Sequence, residues 1–486
     1  MYTTWLTSEY HLYRDTNRNL NAMTTILFIY KYEYLEPLGI MSLSSYLKMH
    51  GHRCEFIDLA FEKDIPRLVN RINPDIVAYS ITTGCHSFYQ KLNLGLKKKC
   101  NYLAVFGGPH ATFFPDFINE EGVDVLCRGE GEGAFLDLAN ALDQRQPIDA
   151  IANLWVKSNG TIHKNDLRPL IEDLDALGFV DRDLVDKYDH YRKLHRRMVL
   201  TGRGCPYRCT YCFNHSYNNL YKGKGRIVRK RSVDHVIREL KMVMKINRPR
   251  RFQFVDDTFI IDADWCVEFC DRYKKEIGLP FIAYTRVNLV TDDIVRRLKS
   301  AGCVTILYAV ESGNDRIRND VLKRNISRKQ IIEAVKIYKK YGLRTYAQNI
   351  LGLPDENMAS AMETLEINIA TKPDYAWSSI FQPYPMTDLW HYCKDKGYLT
   401  DEPIMETFYK KSTLNIPHRE FVARLHHLFS IAVDFPFLKR LLPSLVKLPL
   451  TTFYYYIWHA HRAYAYFFKV NWIDFSELFI RERKIR

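Results

Sequence analysis

The sequence predicts an α/β protein built from a doubly wound parallel sheet, then a partial (β/α)6 barrel, then a helical C-terminal region. Three observations predict this order. Short apolar strands alternate with amphipathic helical stretches from residue 24 to about 145, and again from 196 to about 400. After residue 400 the alternation stops, while helical patterns continue. A chain of 486 residues also exceeds what one hydrophobic core usually organises.

Composition limits the class of protein. The chain is 47% hydrophobic and 26% charged, as in globular proteins and unlike disordered ones. Its net charge of +14 suits an anionic substrate, a nucleic acid or an anionic membrane surface. No uncharged run reaches the roughly 18 apolar residues that span a bilayer. Eleven cysteines without a secretory leader favour a reducing compartment, so we expect a cytoplasmic protein.

The first unit begins after a polar N-terminal extension, residues 1–23. Five apolar segments then read as buried strands: "TTILFIY", "CEFIDLA", "DIVAYSI", "YLAVFGG" and "VDVLCRG". Intervening stretches such as "GIMSLSSYLKMHG" have helical length and spacing. Strands that alternate with helices form a parallel sheet, and such sheets bind ligands beyond the carboxyl ends of the strands. Residues 24–145 are therefore predicted to form one ligand-binding domain.

Residues 146–195 have a different character. A hairpin is predicted around Asn159 and Gly160, and the sequence after it is polar, acidic and weakly periodic. We therefore expect a linker between the two α/β units.

A second series of strands and helices occupies residues 196–400. The predicted strands are "MVLTG", "FQFVD", "FIAYT", "VTILYAV", "TYAQNILG" and "YAWSSIF". Gly302 is placed as a helix C-cap, and Ser327 with Gln330 has capping-box spacing. Six consecutive parallel units suggest a complete or partial barrel, whose active site would lie at the carboxyl ends of the strands.

Residues 401–486 are helical in pattern, rich in aromatic residues and basic, with prolines at positions 436, 443 and 449. One interpretation is a helical cap packed on the barrel. The other is a segment that faces a membrane surface or a lipid.

Three cysteines follow the first barrel strand in "GRGCPYRCTYC". Cys205, Cys209 and Cys212 have C-x3-C-x2-C spacing on a glycine-rich loop, so their sulfurs can converge on one inorganic centre. Three thiolates on a four-iron cluster leave one iron open to chelate a substrate. A zinc site completed by His215 is the competing interpretation.

"CPYRCTYC" resembles the signature of the radical S-adenosylmethionine enzymes. In that family three cysteines hold a [4Fe-4S] cluster, the open iron binds S-adenosylmethionine, and one electron releases a 5′-deoxyadenosyl radical. The resemblance implies that Cys205, Cys209 and Cys212 are the catalytic and metal-binding residues. It implies further contacts with S-adenosylmethionine from Tyr211, Asp256, Asp257, Arg286, Glu311, Ser312 and Gly352. Helix capping by the aspartates, or an ion pair with the arginine, is the alternative.

Two glycine-rich loops end predicted strands of the first domain, in "VFGGPHATFFPD" and "LCRGEGEGAF". Dinucleotide binding is disfavoured, because Glu130 and Glu132 would repel a pyrophosphate at the helix start. Both loops resemble the Rossmann-like cobalamin-binding domain that precedes the TIM-type barrel in one subgroup of radical enzymes. The implied corrin-contacting residues are Ser80, Gly107, Gly108, Pro109, His110, Glu130, Gly131 and Glu132. No D-x-H-x-x-G motif is present, so a histidine ligand to the cobalt is not expected.

The resemblance implies an oxygen-sensitive enzyme that binds a [4Fe-4S] cluster, S-adenosylmethionine and cobalamin, and that methylates an unactivated carbon of a small-molecule or lipid-like substrate. Oxidative cyclisation or rearrangement is the alternative within the subgroup. The positive net charge and the aromatic C-terminal region favour an anionic or lipid-like substrate and contact of that region with a membrane surface. An electron donor such as flavodoxin or ferredoxin is the further expected partner. An RNA-modifying enzyme and a non-enzymatic lipid-surface protein remain alternatives. Because the chain has no recognisable RNA-binding module, we expect no nucleic-acid partner.

Overall fold

The computed structural model describes residues 24–31, 35–158, 160–400, 409, 411–417 and 419–470. The predicted N-terminal extension, Asn159 of the predicted hairpin turn, and parts of the C-terminal region lie outside the described residues.

Fifteen strands are described. They are β1 (Thr25–Tyr30), β2 (Arg53–Asp58), β3 (Ile76–Ser80), β4 (Leu103–Gly107), β5 (Val125–Cys127), β6 (Leu154–Ser158), β7 (Thr161–Lys164), β8 (Arg196–Val199), β9 (Gly202–Arg203), β10 (Arg229–Lys230), β11 (Arg251–Phe254), β12 (Phe281–Thr285), β13 (Cys303–Glu311), β14 (Arg344–Leu351) and β15 (Tyr375–Ile380).

The described α-helices are α1 (Leu38–Met49), α2 (Ile65–Ile72), α3 (His86–Lys97), α4 (Pro109–Phe113), α5 (Glu132–Asp143), α6 (Asp183–Asp186), α7 (Asp189–Arg192), α8 (Phe213–Leu220), α9 (Val233–Asn247), α10 (Ala263–Glu276), α11 (Asp292–Ala301), α12 (Arg328–Lys340), α13 (Met358–Thr371), α14 (Asp388–Asp395), α15 (Arg419–Asp434), α16 (Leu442–Leu445) and α17 (Thr451–Tyr464). A π-helical turn, Ala465–Lys469, follows α17 directly.

The first sheet has the strand order β2-β1-β3-β4-β5-β6-β7, and its first five strands are parallel, as the sequence predicts. Its strands are apolar on both faces because helices cover both. Along β1, Ile26 and Phe28 enter the core on one face, while Leu27 and Ile29 enter the core on the other.

The segment that was expected to link the two units is packed against the first one. The predicted hairpin is present: β6 pairs antiparallel with β5, and β7 pairs antiparallel with β6. Beyond the hairpin, Leu184, Val185 and Tyr191 are buried in the same core as Ile26 and Phe28. Residues 154–191 therefore enlarge the first sheet and its core.

The second sheet contains six parallel strands in the order β15-β14-β13-β12-β11-β8. Since β8 and β15 do not pair with each other, the barrel is partial and open along one side, as predicted. Aromatic side chains such as Phe254, Phe269 and Phe281 join the strands to the outer helices. The predicted capping box of Ser327 and Gln330 is present at the start of α12, and Gly302 is the left-handed C-cap of α11.

The C-terminal helices close one side of this barrel. From α15, Val422 and Phe429 share a core with Leu351 of β14 and Ile380 of β15, so the predicted helical cap is confirmed for the described residues. None of the helices in the described part of the chain is both long and apolar enough to cross a bilayer.

A buried ionic network joins the two units. Arg182 donates to Glu36 at 2.8 Å and to Glu239 of α9 at 3.2 Å, and the second oxygen of Glu36 accepts the backbone N–H of Met198 at 2.6 Å. The Arg182, Glu36 and Glu239 side chains are at most 5% exposed. These bonds fix the first barrel strand, and hence the cysteine loop that follows it, against the first domain.

Candidate active site

A cavity of about 450 Å³ lies where the carboxyl ends of the two sheets meet. Ser80 and Gly107, from strands of the first sheet, line one side. Gly204, beside the cysteine loop, and Asp257, after β11, line the other side. Ligands bind at the carboxyl ends of the strands both in doubly wound sheets and in barrels. One cavity therefore borders the ligand-binding edges of both sheets.

The cysteine loop has a fixed conformation. Gly204 has a φ of +92°, and a Cβ there would lie 1.9 Å from the backbone oxygen of Ile227, so only glycine fits. Thr210 ties the middle of the loop to the barrel, because its hydroxyl donates to the carbonyl of Val321 at 2.7 Å. Cys212 then forms the N-cap of α8. The loop that carries the three cysteines is thus held in a defined position after the first barrel strand.

The cysteines lie close to one cation and are largely buried. The guanidinium of Arg286 lies 3.7 Å from the sulfur of Cys209 and stacks on the ring of Tyr207 at 3.7 Å. Burial raises the pKa of Cys205, and it raises the pKa of Cys212 to about 12. The free thiols of Cys205 and Cys212 therefore stay protonated at neutral pH, and binding of a metal cluster would release their protons.

The donor set fits an iron–sulfur cluster and does not support the zinc interpretation. His215, the expected fourth zinc ligand, pairs with Asp388 at 3.1 Å. Within the described ranges, no group of three or more histidine, cysteine, aspartate or glutamate side chains is gathered around a single ion position. Three thiols spread along one loop can instead occupy three corners of a larger cluster.

Tyr211 and Glu311 meet in a buried network. The Tyr211 hydroxyl donates to Glu311 at 2.9 Å, and Arg324 donates to the Tyr211 hydroxyl at 2.6 Å. Burial raises the pKa of Glu311 despite the nearby Arg324. Ser312 is fully buried beside Glu311 and accepts the backbone N–H of Asn314 at 3.3 Å. The side chains of Glu311 and Ser312 are thus engaged within the protein.

The two aspartates after β11 differ. Asp256 is buried and accepts hydrogen bonds from the Thr201 hydroxyl at 2.6 Å and from Lys230 at 3.1 Å. Asp257 is exposed on the cavity wall. The pKa of its carboxyl is raised, mainly because nearby protein excludes water from it and also because Asp256 carries a like charge. Asp257 is therefore the carboxylate that a ligand can reach, and Asp256 supports the loop.

Gly352, at the end of β14, lies against the C-terminal helices. Its φ is +73°, and a Cβ would contact Val422 of α15 at 3.0 Å. Its N–H donates to the buried carboxylate of Glu356. This position therefore serves the packing between barrel and cap.

On the opposite wall, the first domain presents small residues. Ser80, Gly107, Gly108 and Gly131 line the cavity. Gly108 has a φ of +90°, and a Cβ would lie 2.9 Å from the carbonyl oxygen of Ile81. No histidine occurs among the described residues of the cavity wall.

Pro109 and His110, two other predicted corrin contacts, do not line this cavity. Pro109 begins α4. The His110 ring is buried, stacks on His86 with 3.9 Å between ring centroids, and shares a hydrogen bond with the Thr83 hydroxyl at 3.1 Å. Burial lowers the pKa of His110 to about 3, so the ring is neutral. The glycine-rich loop lines the cavity, but the His110 side chain, on α4, is buried inside the first domain.

The two glutamates of the "GEGEG" loop form ion pairs with the barrel unit. Arg203 contacts Glu132 at 2.5 Å and Glu130 at 3.0 Å, and Arg229 contacts Glu130 at 2.9 Å. Burial alone would raise the pKa of Glu132, but Arg203 holds it below its usual value. Sequence reasoning missed Arg203, Arg229 and Arg324. Of these three, only Arg203 has a sequence position that suggests a role at the site, because it lies two residues before the first cysteine.

Comparisons with known proteins identify the family of both α/β units. The radical SAM superfamily model matches residues 199–367, and the B12 binding domain model matches residues 25–139. An uncharacterized methyltransferase of Pyrococcus horikoshii is 31% identical over 389 residues, which are 76% of this chain and 83% of the relative.

Two further proteins are similar over the same region. The anaerobic magnesium-protoporphyrin IX monomethyl ester cyclase of Rubrivivax gelatinosus is 26% identical, with 75% of this chain and 67% of the cyclase covered. The methyltransferase TsrM of Kitasatospora setae, solved with cobalamin and a [4Fe-4S] cluster, has a similar fold, with a TM-score of 0.66 at 15% identity over 78% of this chain and 76% of TsrM. With a B12 binding domain, a radical SAM barrel and a three-cysteine loop that follows the first barrel strand, the chain belongs to the cobalamin-binding radical S-adenosylmethionine enzymes.

Proposed function

We propose that this enzyme methylates an unactivated carbon of a small-molecule substrate. The observation that carries the proposal is the single cavity, bounded on one side by Gly107 and Gly108 and on the other by Gly204 and Asp257. Two cofactors bound at the two sheet edges would face the same space, where a substrate is held between them.

The residues of the chain divide into three roles. Cys205, Cys209 and Cys212 would hold the cluster, while Asp257 would bind the ammonium group of S-adenosylmethionine. Small residues of the first domain would lie against the flat corrin. When bound, the cluster with S-adenosylmethionine supplies a radical that removes a hydrogen atom, and cobalamin supplies the methyl group. The protein orients the substrate and keeps solvent away from the reacting carbon.

The substrate and partners are part of the proposal. The net charge of +14 and the apolar C-terminal region favour an anionic or lipid-like substrate and peripheral contact with a membrane. A flavodoxin or ferredoxin would supply the electron, as radical cleavage needs a low-potential donor. We place the enzyme in the cytoplasm.

Oxidative cyclisation is the second candidate. The Rubrivivax gelatinosus cyclase covers the same two domains at 26% identity. The two functions differ in their products, because methylation adds one carbon and cyclisation removes hydrogen without adding carbon.

The test is anaerobic reconstitution with iron, sulfide, cobalamin and a strong reductant, followed by incubation with isotope-labelled S-adenosylmethionine and metabolite extracts. We expect one deoxyadenosine and one S-adenosylhomocysteine for each labelled methyl group found in a product. A Cys209→Ser variant should lose all three, whereas Cys100→Ser, a half-buried thiol of the first domain, should retain them. An oxidised product without the labelled carbon would replace methylation by cyclisation.

A further inference from the structure

The C-terminal region exposes an unusual amount of apolar surface. Sixteen large hydrophobic side chains are exposed among the described residues, and eleven of them lie between Phe435 and Phe468. Phe437, Tyr456 and Phe468 are 67–69% exposed. We call the exposed side chains from Phe435 to Phe468 the C-terminal apolar surface. Isolated exposed apolar residues are normal, but a concentration of this kind marks an interaction site.

Helix α17 has one well-buried face and one exposed aromatic face. Its inner face buries Tyr454 and Trp458 to at least 96%. Its outer face carries Phe453, Tyr456 and Tyr464, which are 52–68% exposed. The spacing of these three matches one helical stripe. A helix that faces only water normally places charged side chains on that stripe, and α17 places aromatic rings there instead.

The stretch of chain that carries this surface has charged side chains of one sign. Residues 435–470 contain no aspartate or glutamate and five lysines or arginines. Lys439 pairs with Glu366 and Lys469 pairs with Asp434, both outside this stretch. Arg440 and Lys447 are exposed, and no ion pair joins either of them to a described carboxylate. The apolar surface is therefore bordered by cations that a negatively charged partner would neutralise.

We propose that the C-terminal apolar surface docks on an anionic lipid bilayer. Aromatic rings are stable at the boundary between headgroups and acyl chains, and lysine and arginine beside them bind anionic headgroups. A second copy of this chain fits less well, since two such surfaces would bring Arg440 and Lys447 of each copy together.

The position of the surface gives docking a consequence for the enzyme. Helix α15 packs on β15, an edge strand of the open barrel, and α17 packs on α15. A bilayer bound at α17 would therefore be separated from β15 by the single helix α15. The docking proposal does not rest on methyl transfer, and it is tested without the reaction.

The test is flotation of the full chain with vesicles of phosphatidylcholine alone, or with a third of phosphatidylglycerol. We expect binding to the anionic vesicles and release by high salt. The combined variant Phe437→Ser, Tyr456→Ser and Phe468→Ser should lower vesicle binding at least tenfold. Its control, Met49→Ser, Ile246→Ser and Met386→Ser, changes residues that are 41–51% exposed elsewhere, and should bind normally.

A charge variant keeps the test independent of packing. Arg440→Glu with Lys447→Glu should lower binding to anionic vesicles roughly tenfold or more, whereas Lys98→Glu with Lys99→Glu, an equal charge change on the first domain, should not. Equal binding by the surface variants and their controls overturns the proposal, as does absence of binding to anionic vesicles. Self-association abolished by the aromatic variant would assign the surface to a second copy. Vesicle binding gained only after deletion of residues 471–486 would assign it to that segment.

Discussion

Tyr211 combines two separable contributions in one side chain. Its hydroxyl joins Glu311 to Arg324, while its ring belongs to the loop that carries the cysteines. We predict that Tyr211→Phe lowers the free energy of unfolding by about 1–3 kcal/mol, because it leaves a buried carboxylate with a weaker partner. Urea denaturation measures this change.

The same variant should keep S-adenosylmethionine cleavage, since the aromatic ring remains. Tyr211→Ala removes ring and hydroxyl together and should also weaken cofactor binding. If Tyr211→Phe lost cleavage while keeping its stability, the hydroxyl itself would be part of the cofactor site.

Single residues were predictable where a local motif carries the chemistry. The spacing of Cys205, Cys209 and Cys212 requires no knowledge of the fold. The sequence could not predict that Asp256 is buried and Asp257 exposed. That difference depends on hydrogen bonds from Thr201 and Lys230, which lie far from Asp256 in the sequence. The roles of Glu311 and Ser312 as cofactor contacts remain predictions.

At the scale of elements, the cysteine loop depends on Gly204. We predict that Gly204→Ala prevents iron incorporation, because its Cβ would overlap the Ile227 carbonyl at 1.9 Å. Gly223→Ala is a matched control: its φ of +77° is similar, but no atom lies within 4 Å of the added Cβ. The control should cost only about 1–2 kcal/mol from backbone strain and should keep its iron, as measured by iron and sulfide analysis. Similar iron loss in both variants would mean that strain alone breaks the loop.

Helix α15 carries a pH-dependent weakness. Burial lowers the pKa of His426 to about 3 and that of His427 to about 4. Below about pH 6.5 these two histidines bind protons in the unfolded chain but stay neutral in the folded protein. Their contribution to the free energy of unfolding is therefore complete at neutral pH and is lost as the pH falls towards 4. We predict a loss of up to about 1.4 kcal/mol per pH unit for each histidine.

Urea midpoints between pH 7 and 5 measure this slope. His427→Gln should flatten it. A wild-type midpoint that stays constant over this range would contradict the prediction.

The elements themselves were largely predictable. Every barrel strand was found from its apolar pattern, since a strand covered on both faces has few polar positions. The packing of residues 154–191 was not predicted. An antiparallel hairpin at a sheet edge has half-exposed strands, and the short helices α6 and α7 are too brief for a periodic signal.

At the scale of the whole molecule, Arg203 joins the loop of Glu130 and Glu132 to the cysteine loop. We predict that Arg203→Gln destabilises the protein by about 3 kcal/mol, because it leaves the buried Glu132 without its cation. The same change should loosen the cavity, so that bound corrin is lost during gel filtration. Arg226→Gln removes a comparable but exposed pair with Glu172 and should change neither property. Normal corrin retention by the Arg203→Gln variant would show that the ion pairs of Arg203 do not shape the cavity.

The buried network of Glu36, Arg182 and Glu239 has a further consequence for handling the protein. Mobile ions screen charges in water far more than charges inside a protein. If the C-terminal apolar surface docks on lipid as proposed, a salt wash that releases the protein should leave its two α/β units joined. The released protein should then keep full turnover, so that washing would separate attachment from catalysis without a mutation.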